Sequence, residues 1–104
     1  MIDLDNLESS LQVELKQLDT GGAEVKIVRF GESGAGIPGL RLDLEWSERL
    51  ARLTYWVETG ECLLEKLDLL NDASVSHRIA RASIEDIKHG LIELLAPGVN
   101  PWGQ

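Results

Sequence analysis

The residues that could act as bases or nucleophiles are plentiful carboxylates, which the sequence does not pair in a cleft, together with two histidines far apart in the chain and one cysteine. His77 and His89 have no cysteine or aspartate at the spacing of a metal site. The single cysteine, Cys62, follows Glu61, and a neighbouring carboxylate raises the pKa of a thiol and weakens it as a nucleophile. We interpret His77 as a core-edge residue, because it shares a strand face with two aliphatic residues, and His89 as solvated. With no catalytic triad and no Gly-x-Ser-x-Gly elbow, the sequence predicts a protein that is not an enzyme and needs no metal or cofactor.

The glycine-rich stretch 31–39, GESGAGIPG, is the only segment that suggests a nucleotide site. A phosphate-binding loop ends in Gly-Lys-Ser/Thr, and this stretch contains no lysine. Its acidic residue Glu32 would also repel a phosphate. A hairpin loop is therefore the favoured interpretation.

Composition and charge narrow the range of partners. The chain has 104 residues, 43% apolar and 27% charged, as expected of one globular domain, and its net charge is −8. That charge repels phosphate backbones and anionic lipid heads, so we expect neither nucleic acid nor a membrane as a partner. No apolar run approaches a membrane span, the N-terminus lacks the order of a secretory signal, and one cysteine gives no internal disulfide, so the cytoplasm is the expected location. The charge favours a basic protein as partner, although solubility alone explains it equally well.

The hydrophobic pattern predicts the elements that must position any site. Leucines at spacings of three and four predict an N-terminal helix, with Asp5 and Glu8 as its capping pair and Gly21 and Gly22 at its end. Ser83 begins a second capping box before the last helix. The predicted helices span 4–20 and 84–95, and the predicted strands span 24–30, 40–46, 50–58, 61–70 and 74–80. Because the connections are short, the prediction is an α+β fold: one domain, 1–104, with an antiparallel five-stranded meander, both helices on one face, and residues 97–104 as a short tail.

The stretch 50–70 reads as a hairpin that turns at Glu58-Thr59-Gly60-Glu61. Alternation places Trp56 on the polar face of the first strand, beside Arg52, Thr54 and Glu58. A tryptophan surrounded by carboxylates is suited to a basic protein, since tryptophan is common at the centre of interfaces. Alternatively, the tail or a loop of the chain itself covers Trp56. The candidate partner-binding residues are Trp56, Glu58, Glu61, Glu65, Glu45 and Asp43.

The segment Arg52 to Asp68, RLTYWVETGECLLEKLD, resembles the tryptophan hairpin of small immunity proteins from bacterial polymorphic-toxin and contact-dependent-inhibition systems, in particular the TriTu group. The matching positions are Trp56, Gly60, Glu61, Cys62, Glu65 and Asp68. The resemblance implies an antitoxin that binds and neutralises a cognate toxin, a basic and commonly nuclease domain, by occluding its active or substrate-binding surface. It implies no catalytic residue.

Two other classes remain open from the sequence. Secretion-effector chaperones are also small, acidic and α+β, although their strands are interrupted by a helix where this chain predicts consecutive strands. A small ligand-binding or regulatory domain has no support beyond the glycine loop. A homodimer is also left open by the sequence.

Overall fold

The structure is a computed structural model that describes residues 2–31 and 36–96. Its elements are α1 Leu4–Gln17, β1 Glu24–Phe30, β2 Gly39–Glu45, β3 Arg49–Trp56, β4 Cys62–Asp68, β5 Ala73–Ile79 and α2 Ile84–Leu95. Every predicted helix and strand is present, with ends that differ by up to three residues. The predicted tail, 97–104, and the middle of the glycine-rich loop lie outside the described residues. No helix in the described ranges is both long and apolar enough to cross a membrane.

The five strands form one sheet in chain order, and each strand pairs antiparallel with the next. Both helices pack against one face, which we call the covered face, and the opposite face is the open face. Alternate residues of β2 and β3 point into the core between sheet and helices, as a period of two predicts. They are Leu40, Leu42, Leu44, Ala51, Leu53 and Tyr55. The antiparallel meander with two helices on one face is therefore confirmed.

The core contains aliphatic residues from both helices and from the three central strands. Trp46, directly after β2, is buried, and its indole Nε1 donates at 2.9 Å to the carbonyl of Thr20, in the segment that follows α1. The Arg49 guanidinium lies 3.7 Å from the centre of the Trp46 ring. Trp46 thus ties the segment after α1 to the β2–β3 turn.

The start of α2 matches its predicted capping box. The Ser83 hydroxyl accepts from the Asp86 backbone N–H at 3.1 Å, and the Asp86 carboxylate accepts from the Ser83 N–H at 3.0 Å. Hydrogen bonding to the Asp86 carboxylate, first from the Ser83 backbone N–H and then from the Ser83 side chain, holds the pKa of Asp86 below its usual value. Further along α2, a β-carbon on Gly90 would lie 2.8 Å from Cδ1 of the buried Leu64. The glycine therefore lets the helix approach the sheet closely.

The start and the end of α1 differ from the prediction. The N-cap residue is Asp3, and its side chain makes no capping hydrogen bond. Asp5 and Glu8 do not form a capping pair, because both carboxylates instead bind Arg29 of β1, at 2.6 and 2.8 Å. The helix ends at Gln17, three residues early, since the following residue is extended and the Asp19 side chain accepts from the Gly21 N–H in a turn.

His77 is the other prediction that the structure corrects. It does lie on the covered face with Val75 and Ile79, but it is exposed rather than at the core edge. The reason is its strand: β5 is the outer strand, and α2 lies over β3 and β4. His89 is exposed, as predicted.

Two basic side chains on the covered face close the C-terminal end of α2. Lys66 Nζ donates to the carbonyls of Glu93 and Ala96, at 3.0 and 2.7 Å, and Arg49 donates to those of Leu95 and Ala96, at 3.2 and 2.8 Å. Cations here complement the negative end of the helix dipole, and α2 has no basic residue in its own last turn. Burial, with repulsion from Arg49, lowers the pKa of Lys66 to about 8.

Candidate functional site

The open face carries a row of alternating charges that crosses the sheet. The row, one residue from each strand in register, is Lys26, Asp43, Arg52, Glu65 and Ser76. Asp43 is already engaged within it, since it accepts from Arg52 Nε at 2.7 Å and from Arg41 Nε at 3.1 Å. The centre of the face is therefore charge-balanced rather than acidic.

The row crosses a concavity of about 850 Å³ that reaches all five strands. Three of the six candidate residues line it, namely Asp43, Glu45 and Glu65. In the described part of the chain, Glu24, Glu45 and Glu65 form no ion pair. These three carboxylates are available to a basic partner without the rupture of an internal salt bridge.

The other three candidates lie at the β3–β4 turn, about 13 Å along the strand from the charged row. Trp56 is half-buried, and its backbone N–H donates to the Glu61 carbonyl at 3.0 Å. Glu58 is exposed on the turn, which reverses at Gly60 with φ +73°. The Glu61 carboxylate accepts from Arg78 at 3.0 Å. The turn itself is therefore as the sequence predicts, but one of its carboxylates already has a cation.

Trp56 has an aromatic neighbourhood that the sequence did not indicate. The register aligns it with Gly39 and, beyond that glycine, with Phe30. A β-carbon on Gly39 would overlap the Phe30 ring, so the ring lies over the glycine backbone. Phe30 and Trp56 thus bring an apolar border to this end of the open face. The alternative prediction, that the tail of the chain covers Trp56, concerns residues 97–104, which lie outside the described residues.

The acid excess lies at the opposite end of the sheet, where β2 ends and β3 begins. The carboxylates at this end are Glu24, Glu45, Glu48, Asp68 and Asp72. The nearest arginine, Arg49, points to the covered face and binds the end of α2. We call this region the acidic end. Period-two alternation places Glu24 on the open face. The sequence did not predict that carboxylates from different strands and turns would cluster at the same end of the sheet.

The thiol gives no indication of nucleophilic chemistry. Cys62 is fully buried on the covered face, and this burial, with a smaller effect of Asp86, raises its pKa to about 12. The direction agrees with the sequence interpretation, but the main cause is desolvation rather than acidic neighbours. Among residues 2–31 and 36–96, no group of three or more potential ligands is placed to hold a metal ion.

Comparison with known proteins adds no relative. No protein-family model, no curated protein and no solved structure matches the chain. What the fold and the surface define is an α+β domain with one face of its sheet left uncovered by residues 2–31 and 36–96. The resemblance of the hairpin 52–68 to immunity proteins stays a prediction.

Proposed function

We propose that the protein is an immunity protein that binds a basic toxin domain, of the nuclease kind, and blocks its active or substrate-binding surface. The observation that supports this most directly is the open face, a concave five-stranded surface without a helix over it in the described residues. Glu24, Glu45 and Glu65 lie on it without ion pairs. A nuclease presents lysine and arginine to phosphates, and such a surface is complementary to these carboxylates.

The two ends of the open face have different roles in this proposal. Net charge of −8 speeds encounter with a basic domain, and the exposed Glu58 contributes to that field at the turn. Trp56 supplies apolar area at the same turn, with Phe30 beside it. Carboxylates therefore govern the association rate, and the aromatic side chain governs dissociation.

The test is inhibition and binding kinetics with the toxin domain that copurifies from the native cell. Glu58→Lys with Glu61→Lys should slow association, and the difference should shrink at high salt because screening already weakens exposed pairs. Trp56→Ala should speed dissociation by about 30-fold, equivalent to about 2 kcal/mol for a central anchor.

The matched control reverses two exposed carboxylates on the helical side, Asp3→Lys with Glu85→Lys. It changes the net charge equally and should slow association less than the reversal at the turn. Wild-type binding by both turn variants, together with lost binding by the control, would place the interface on the helices. Absence of any inhibited toxin would reject the immunity function itself.

A further inference from the structure

The acidic end of the sheet also carries an apolar surface that the residues discussed above do not use. Leu50 and Leu67 face each other across β3 and β4 and line the floor of the concavity. Directly beyond them, in the β4–β5 turn, Leu69 is 49% exposed and Leu70 is 78% exposed. We call these four residues the leucine strip. Its two exposed leucines follow Leu67 in the chain and lie at the tip of the β4–β5 hairpin, beyond the residues that line the concavity.

Hydrogen bonds order the turn that presents the two exposed leucines. The Asp68 carboxylate accepts from the backbone N–H groups of Leu70 and Asn71, at 3.0 and 3.2 Å, and from the Asn71 side chain at 2.7 Å. The Leu69 N–H donates to the Glu48 carbonyl at 2.9 Å, which fastens the turn to the neighbouring one. An apolar contact on this turn therefore loses little conformational entropy when a partner binds.

Charge around the leucine strip specifies the sign of its partner. Glu24, Glu45, Glu48 and Asp72 surround it. The basic groups nearest in sequence, Arg49 and Lys66, bind the carbonyls at the end of α2 on the other side of the sheet. On the open face itself, Asp43 already engages Arg52, and Lys26 is the other cation of the concavity. Because Glu24, Glu45 and Glu65 form no ion pair in the described residues, a ligand that buries the leucines meets an excess of negative charge and binds better if it carries cations.

Backbone chemistry indicates the form of that ligand. The strands beneath the concavity already pair with each other, so the face offers no free backbone groups to an added strand. An extended segment there would lose water from its own N–H and C=O groups without replacement. A helix satisfies those groups internally. Five strands span about 19 Å, the length of about 13 helical residues.

We propose that the leucine strip and the adjoining concavity receive a basic amphipathic helix of a protein partner. Its apolar side lies on Leu50, Leu67 and the exposed turn leucines. Its lysine or arginine side chains reach Glu24, Glu45 and Glu65. The inference deepens the proposed function and rests on it only for the identity of the partner as a toxin.

A second copy of the chain is the poorer occupant. If two open faces stack about a two-fold axis that runs along β3, Arg52 lies over Arg52 of the copy, and Asp43 lies over Glu65 of the copy. An axis across the strands would place every charge of the row over itself. Like charges meet in these two arrangements, whereas an axis along the strands between β2 and β3 would place Asp43 over Arg52 of the copy. The general argument against a second copy is the repulsion between two chains of charge −8.

The test uses two synthetic helices of about 14 residues, each stapled so that it is helical in water. One has leucines on one side and lysines on the other, and its twin has glutamates in place of the lysines. Titration of the ¹⁵N-labelled protein should give saturable shifts with the lysine peptide at Glu24, Glu45, Leu67 and Leu70. The glutamate twin should give none.

Variants on the strip decide whether the leucines carry the binding. Leu69→Ser with Leu70→Ser should weaken binding of the lysine peptide at least tenfold, and circular dichroism checks that the fold is retained. The control, Val13→Ser with Ile92→Ser, removes two apolar side chains of similar exposure from the helices, 53% and 50%, and should leave binding unchanged. Glu24→Gln with Glu45→Gln should weaken binding at low salt more than at high salt.

Several outcomes would overturn the inference: no saturable shift, equal binding of both peptides, shifts confined to α1 and α2, or full binding by the double serine variant. The proposed function stands or fails separately. If the toxin is inhibited while the lysine peptide does not bind, the immunity function holds and the helix site is wrong. If the peptide binds as described and no toxin is inhibited, the site holds and the immunity function is wrong.

Discussion

At the scale of single residues, Lys66 shows how a charged side chain is retained in the core. It is 3% exposed, on the covered face between Leu64 and the helices, and it compensates for burial by donating to two carbonyls of α2. Its pKa falls to about 8 because the buried ammonium is desolvated and Arg49 repels it. The unfolded chain, with an ordinary lysine pKa, then binds more protons than the folded chain between pH 8 and about 10.

The sign of the resulting pH dependence follows from linkage. Because the unfolded state binds more protons in this window, the contribution of Lys66 to stability rises with pH. Between pH 7.5 and 9.5 the free energy of unfolding of the wild type should rise by about 1–2 kcal/mol relative to Lys66→Met. Urea unfolding of both proteins at each pH measures the difference, and other titrating groups cancel in it. A constant or falling difference would contradict a lowered pKa.

The sequence contained a signal for this residue. Alternation along β4 places Cys62, Leu64 and Lys66 on one face, so a lysine follows two core positions. The last turn of α2 also has no basic residue to meet its free carbonyls. Together these two facts indicate that Lys66 could cap the C-terminal end of α2. Only the packing of α2 over β4 shows that its ammonium group reaches the carbonyls there.

At the scale of elements, the contact of α2 with the sheet depends on Gly90. Glycine in a helix is less favourable than alanine by about 1 kcal/mol, so an exposed glycine would gain stability on replacement. Here the added methyl group would lie 2.8 Å from Leu64, which is fully buried and cannot move aside freely. Overpacking of this kind costs about 1–3 kcal/mol, which exceeds the gain.

We therefore expect Gly90→Ala to lower the free energy of unfolding by about 1 kcal/mol. In the background of Leu64→Ala, where the obstructing atoms are absent, the same substitution should raise it by about 1 kcal/mol. Urea unfolding of the four proteins in this cycle measures both effects. The same sign in both backgrounds would show that Leu64 is not the obstacle.

The elements were largely predictable from sequence, and the site was predictable only in part. The strict alternation of β2 specifies a strand, and Ser83 three residues before Asp86 specifies the start of a helix. Both local structures are retained in the folded chain. The cap of α1 was not predictable, because Asp5 and Glu8 bind an arginine 21 or more residues away. The meeting of Glu24, Glu45 and Leu67 in one concavity depends on register between strands, which single-strand patterns do not contain.

At the scale of the whole molecule, the two faces of the sheet have different roles: one forms the core and the other forms the exposed charged surface. The covered face is filled by α1 and α2 and contains the core, whereas the open face has paired charges at its centre and unpaired carboxylates toward the acidic end. The acidic end combines unpaired carboxylates with the leucine strip, and the opposite end combines Glu58 with Trp56 and Phe30. Both ends of the open face therefore offer apolar area beside negative charge.

The same charge distribution bears on self-association, which the sequence left open. Two chains of charge −8 repel each other, whichever faces they present. We therefore expect a monomer of 11.5 kDa at pH 7.5 in low salt. Near the isoelectric point of about 4.6, where the net charge approaches zero, association should increase. Light scattering coupled to size exclusion measures the mass under each condition.

The double serine variant, Leu69→Ser with Leu70→Ser, separates the causes of association at low pH. If this association uses the leucine strip, the variant stays monomeric where the wild type does not. A stable dimer at pH 7.5 with twice the monomer mass would mean that the open face binds a second copy, and the case for a basic partner there would be lost.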